Sequence, residues 1–258
     1  MRLGISVELD YWFDAAADVL LQVEVAKTAE QVLQKADLTV WSDHPIAAVI
    51  GEDGIGQRCW GRGEGQFRAQ YEAEVDIQRS DIDLTTLGAT PPRLLPGALV
   101  PYLLPSRYCQ SDRLEGFVES EFAGLAGGAL AQALVDWTAG ALRYRIGASE
   151  GTTTALDTFA SRMGVCRDYA HLVVALARAA EIPARCVAAY APGVDPPDFH
   201  AVAELWLDGA WRLVDATGMG SAGELAVVTA GRDATDIAFM TVFGLTRLQR
   251  QSVRVRRL

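Results

Sequence analysis

Along the N-terminal part of the chain, apolar residues alternate with polar or small ones. Leu3, Ile5, Val7 and Leu9 share one face of a strand, and Leu21, Val23 and Val25 repeat the pattern against Gln22 and Glu24. The longest alternation is Phe67, Ala69, Tyr71, Ala73, Val75 and Ile77, interleaved with Arg68, Gln70, Glu72, Glu74 and Asp76. It predicts a strand with one buried and one wetted face. The glycine-rich runs GEDGIG (51–56) and GRGEG (61–65) read as turns. Neither precedes a helix with phosphate-loop spacing. Five prolines between Thr90 and Ser106 predict an extended linker or surface strap. Beyond it the period changes. Leu130, Leu134, Trp137, Ala141 and Tyr144 predict a helix over 128–146, and 154–163 a short one. Residues 166–181 predict a helix with Tyr169, Leu172, Val173 and Leu176 on one side. After Pro183 the period returns to two, over 185–190, 199–207, 211–214 and late strands ending in the basic run RLQRQSVRVRRL. The chain therefore reads as α+β, with a β-rich N-terminal domain (1–105) and a second domain (106–258) of helices followed by an antiparallel sheet.

Composition narrows the function. The 258 residues suffice for one large or two modest domains, and half are hydrophobic. The net charge is -10, and no basic block is large enough to grip nucleic acid. The N-terminus alternates instead of running apolar, so neither a signal peptide nor a membrane span is expected, and the cytoplasm is the expected compartment. Cys59, Cys109, Cys166 and Cys186 are widely spread with no CxxC pair, which fits free thiols in a reducing environment. There is no HExxH motif and no carboxylate–histidine cluster, so neither a metal nor another cofactor is expected.

One cysteine stands apart. In GVCRDYAHLVVALARAA (164–180), Cys166 opens an apolar helix just behind a glycine that permits a sharp turn. Unpaired amides and the dipole at a helix start favour a thiolate, whereas most cysteines are inert and buried. A thiol nucleophile needs a partner that acts as base and then as acid. His171 lies five residues on and points about 140° away along the same helix, which makes it a core or helix-face residue. His44, in the turn-like SDHP, has nothing to couple it to the thiol. His200 opens a strand in PPDFHAVAELWLDG, after a Pro-Pro loop that can hold it at a cleft. Asp215, in WRLVDATG, follows a hairpin turn and can fall beside His200 to orient its ring.

Taken together, GVCRDYAHLVVALARAAEIPARCVAAY and DFHAVAELWLDGAWRLVDATG resemble the core of the bacterial transglutaminase-like cysteine protease family, within the papain-like superfamily. The likeness is strongest over about 128–220. LLPSRYCQSDRL (103–114) resembles the strap that precedes that core, and the β-rich half resembles the N-terminal domain of such proteins. The resemblance implies a nucleophile at a helix N-terminus packed on an antiparallel sheet. It implies Cys166 as nucleophile, His200 as general base and acid, and Asp215 as orienting carboxylate. Many relatives follow the aspartate with Pro-Thr-Asn, where this chain has Ala216-Thr217-Gly218. The implied chemistry is acyl transfer through a thioester on a peptide or protein substrate. Water gives hydrolysis, the first choice; an amine gives transamidation. A silent peptide-binding module is the competing class, and the presence of all three residues opposes it. The Cys166 amide is one expected oxyanion donor; Tyr108 or Arg107 in the strap is either the second donor or an anchor. Cys59, Cys109 and Cys186 are expected to be structural.

Overall fold

In the computed structural model, which describes residues 1–42 and 44–258, the first alternating run becomes β1 (Arg2–Leu21). Leu3, Ile5, Val7, Leu9, Tyr11 and Phe13 are buried. β1 pairs antiparallel with β4 (Gln57–Ile77), from Leu3↔Val75 to Leu21↔Cys59. Beyond β4 lie β2 (Gln31–Trp41) and, at its other end, β3 (Ala47–Ile50). Two expectations change here. GRGEG is part of β4, not a turn. Its middle glycine, Gly63, faces the Phe13 ring, where an added Cβ would come within 2.6 Å of ring carbon. A glycine inside a strand here marks close approach. Val23 and Val25 are buried but lie outside any strand. The Val25 amide donates to the Tyr71 hydroxyl at 3.0 Å and the Ala26 amide to the Val227 carbonyl at 2.8 Å, so this stretch is satisfied outside the first sheet's ladder.

The proline-rich passage makes only short 3₁₀ turns, including 92–94 and 97–102. The helices that follow are α1 (Glu115–Glu121), α2 (Gly127–Ala141), α3 (Ala155–Ser161) and α4 (Cys166–Ala179). α2 ends sooner than the periodicity predicts. Leu142 is extended, and β5 (Arg143–Tyr144) pairs in parallel with β6 (Met163–Gly164), so Tyr144 leaves the helix. α4 is central: every residue from Asp168 to Arg178 is buried, between the other helices and β7 (Ala184–Tyr190) and β8 (His200–Leu207). With β9 (Ala210–Val214) and β10 (Ala226–Gly231) these form an antiparallel sheet in the order β10-β7-β8-β9. The buried Arg178 guanidinium donates to the carbonyls of Leu104, Ala184 and Arg232 and to the Ser106 hydroxyl, fastening the strap onto the core.

The chain then crosses back. After α5 (Ala234–Ile237), β11 (Met240–Phe243) and β12 (Arg247–Arg257) both pair antiparallel with β1. The expected last strand exists, but it completes the first sheet instead of the second. The α+β expectation holds, with two antiparallel sheets and helices packed on the second. The arginines of β12 are ion-paired: Arg247 with Asp14 and Arg250 with Glu8 on the outer face, and Arg257, on the face of Leu3, with Glu224.

Two glycines give opposite stability predictions. Gly63→Ala, against the Phe13 ring, is expected to destabilise the fold by about 1–3 kcal/mol through overpacking. Gly140→Ala, exposed in α2 with open space where its Cβ would lie, is expected to stabilise it by about 0.5–1 kcal/mol. Urea midpoints of the two variants against wild type check both signs.

Candidate active site

The site begins with how α4 starts. Val165 is extended, and its amide donates to Asp168 Oδ2 at 2.8 Å, so the helix caps itself from its third residue. Asp168 has no exposed surface; Ser149 Oγ also donates to Oδ2, and Arg167 Nη2 donates to Oδ1 at 3.2 Å. Arg167 extends the network to the Glu150 carbonyl at 2.8 Å. A Cβ on Gly164 would lie 2.6 Å from Asp168 Cβ, which excludes a side chain there. The result places Cys166 at the first helical position, half-exposed at the rim of a cleft.

His200 opens β8 opposite Ala189 and is buried. Its Nε2 lies 2.8 Å from Asp215 Oδ2. With Nε2–H given to that carboxylate, Nδ1 is the atom left for the thiol, and it has no protein partner at ordinary hydrogen-bond distance. Burial pulls the imidazole pKa down, but the hydrogen bond to Asp215 and the nearness and charge of Asp215 and Cys166 outweigh it, raising it to about 9. Asp215 shows the reverse balance. Burial pushes its carboxyl up, but His200 and Thr217 hold it below the ordinary carboxylate value. Its Oδ1 accepts the Thr217 amide at 2.9 Å and the Thr217 hydroxyl at 2.6 Å, and Oδ2 also accepts the Gly220 amide at 3.0 Å. The Ala216-Thr217-Gly218 loop thus grips the carboxylate, turning through Gly218 at φ 72°. Hairpin geometry delivers it: Asp208 and Gly209 both have positive φ between β8 and β9.

The other histidines stay apart. His44 is exposed beside Ser42, and Asp43 of that motif lies outside the described residues. His171 is a core residue. Burial lowers its pKa to about 4, its ring stacks on Tyr108, and its Nε2 accepts the Ala234 amide at 3.1 Å. Its donor atom lies within 4.8 Å of the sulfurs of Cys109 and Cys186, the one grouping of metal-ligand type among the described residues. The Ala234 amide occupies Nε2, so Nδ1 carries the ring proton. A cation at Nδ1 would turn an Nε2–H against an amide N–H, so the trio does not suit a metal. The strap acts as an anchor. Tyr108 gives its hydroxyl proton to the Gly151 carbonyl at 2.8 Å and its amide to Asp233, and its carbonyl accepts the Ala155 amide.

Tyr144 escaped the sequence reading because periodicity put it on a helix. The β5–β6 bridge sets it opposite Gly164. Burial pushes its phenol up to about 12, and the charge of the neighbouring Cys166 acts in the same direction. Thr217, Gly220 and Asp168 were also missed. An Asp-x-Thr turn after a strand was the signal for Thr217, and an Asp three residues after the helix's N-cap for Asp168.

A cleft of about 390 Å³ lies beside Cys166 and His200. A larger groove, of about 490 Å³, crosses the outer face of the first sheet between Lys35, Glu72, Glu74, Arg254 and Arg256, and neither cysteine nor histidine lines it.

Comparison with known proteins bears on the family and the fold. Residues 121–216 match the family model described as transglutaminase-like superfamily. A crystal structure from Cytophaga hutchinsonii, named a "putative cysteine protease", is similar at a TM-score of 0.94 and 33% identity, covering 99% of this chain and 90% of that one. An uncharacterized protein of Mycobacterium leprae is 30% identical over 110 residues, 40% of this chain; the match spans 39% of that relative's length. The chain belongs to the transglutaminase-like superfamily, with the papain-like arrangement of helix and antiparallel sheet.

The electrostatics yield a prediction. In Asp215→Asn the His200 titration, followed by imidazole NMR, is expected to move acidward from about 9. A folded pKa raised above the unfolded value near 6.5 stabilises fully below pH 6.5 and loses that contribution as pH rises through 9. The stability difference between wild type and variant is therefore expected to shrink between pH 6.5 and 9 in urea titrations.

Proposed function

We propose that the protein is a cysteine-dependent hydrolase of peptide or side-chain amide bonds. The observation that carries this reading is the His200–Asp215 pair at 2.8 Å, whose free Nδ1 faces a cysteine at a helix start. His200 takes the thiol proton, and the Cys166 sulfur attacks the amide carbonyl. The C–N bond breaks as the imidazolium gives that proton to the leaving amine. Water, deprotonated by His200, then cleaves the thioester and frees the acid. Asp215 holds the ring and offsets its positive charge. The Cys166 amide is one oxyanion donor, and the Tyr144 hydroxyl, set against the same amide and thiol, is the second. Hydrolysis is preferred to transamidation because Cys166 is half-exposed and open to water.

The reading implies a peptide or protein substrate and neither nucleic acid nor membrane as partner. The net charge of -10 and the ion-paired arginines of β12 fit it. Among the described residues, no helix is long and apolar enough to cross a membrane. A cytoplasmic site of action fits four unpaired cysteines.

Fluorogenic peptide and glutamine-amide libraries test the reading. Hydrolysis is expected from wild type and is expected to be lost in Cys166→Ala, with iodoacetamide labelling Cys166 selectively. Its rate is expected to fall as pH rises through about 9, because His200 then lacks the proton for the leaving group. Retained hydrolysis in Cys166→Ala would sink the proposal.

A separate prediction concerns Tyr144. Removing one oxyanion donor lowers kcat by about 10²–10³ in a well-studied protease, and Tyr144→Phe is expected to lower kcat in that direction with little change in KM. A rise in kcat would instead mark the phenol as a plug that substrate must displace.

A further inference from the structure

Both sheets build the cleft beside Cys166. Its floor comes from β7 and β8, where Ala188 pairs with Ala201 and Ala189 with His200. Methyl side chains there leave the space open. One wall is the Phe199 ring, stacked on Phe239 with centroids 4.1 Å apart and planes 7° from parallel. Phe239 is held by the first sheet: its carbonyl accepts the Gln22 amide at 2.8 Å, and Met240 next to it pairs with Leu21 of β1.

Several polar groups of the cleft are already engaged. Asp198 Oδ1 accepts the Phe199 amide at 2.7 Å and Gln251 Nε2 at 2.6 Å. Arg167 is turned to Ser149, the Glu150 carbonyl and Asp168. What Phe199, Phe239, Met240 and the alanine floor offer a substrate is aromatic, thioether and methyl surface, which rewards an apolar side chain.

We propose that Phe199, Phe239 and Met240 form a substrate subsite that selects a peptide with a large apolar side chain flanking the scissile carbonyl. The first sheet thereby takes part in recognition through Phe239 and Met240. The inference rests on Cys166 being the nucleophile.

The test uses the full chain and peptidyl chloromethyl ketones, which alkylate Cys166 without needing turnover. The probes carry Phe, Leu, Gly, Asp or Lys beside the reactive carbon, and mass spectrometry locates the label. Each rate is divided by the same protein's iodoacetamide rate. The Phe and Leu probes are expected to label wild type at least about tenfold faster than the Gly, Asp and Lys probes, the size of discrimination one or two apolar groups supply. Phe239→Ala is expected to compress that ratio. Met240→Lys is expected to raise the Asp probe's rate and lower that of the Phe probe. The same side-chain ranking in wild type and both variants, or a flat response in wild type, overturns the subsite while leaving the nucleophile standing. No selective labelling of Cys166 by iodoacetamide overturns both. Circular dichroism of each variant separates a lost subsite from a lost fold, and if one variant fails to fold the other carries the comparison.

Discussion

The carboxylate of Asp168 is sealed inside the protein, yet it accepts hydrogen bonds from an amide, a hydroxyl and a guanidinium. A buried charge survives only when its lone pairs are met. Meeting them fixes three things at once. The 163–165 segment must approach closely enough that Gly164 can have no side chain. The 149–151 loop is drawn in, where Gly151 receives the Tyr108 hydroxyl. α4 must begin at Cys166, so a helix otherwise buried from Asp168 to Arg178 presents its first residue at the cleft. The loop and the start of α4 are therefore held by one set of donors, and the strap joins them through Tyr108. Asp215 repeats the strategy beneath the cleft, with donors from His200, Thr217 and Gly220.

The parts of the structure readable from sequence were those governed by local period. β4 from Phe67 to Ile77, α4, β7, β8 and β9 fall close to where alternation and helical spacing put them. Cys166, His200 and Asp215 each sit at an element boundary; the structure puts Cys166 and His200 at one cleft and Asp215 against His200 beneath its surface. The misreadings share a cause in contacts between residues far apart in the chain. GRGEG resembles a turn until Phe13, some fifty residues earlier, is seen across it. Tyr144 keeps helical spacing with Trp137 and Ala141, but the Arg143 amide bonds to the Arg162 carbonyl and that of Arg145 to the Gly164 carbonyl. β12 has the alternation of a strand, and alternation carries no address for the sheet it joins.

The two sheets meet in a continuous apolar region. Tyr190 of β7, with Ala226 and Val228 of β10, packs in the same cluster as Leu3, Phe13 and Tyr71 of the first sheet. The Tyr190 hydroxyl donates to the Val23 carbonyl at 2.7 Å, and Gln31 bonds to both Ala26 and Val227. Hinging of one sheet against the other would expose these buried polar groups as well as apolar surface. The joint is a packed interior and not a linker.

The pairing of β1 with β11 and β12 also has a meaning in time. During synthesis β1 emerges before the helix that carries Cys166, and β11 and β12 emerge after it. The earlier strand must wait, one edge unpaired, while well over a hundred residues are added between. Pairings of such long sequence separation form late. A nascent chain can therefore already contain α4 while the wall carrying Phe239 does not yet exist. The helix that starts at Cys166 and its cleft are completed in order, the second only after Phe239 and Met240 have been made.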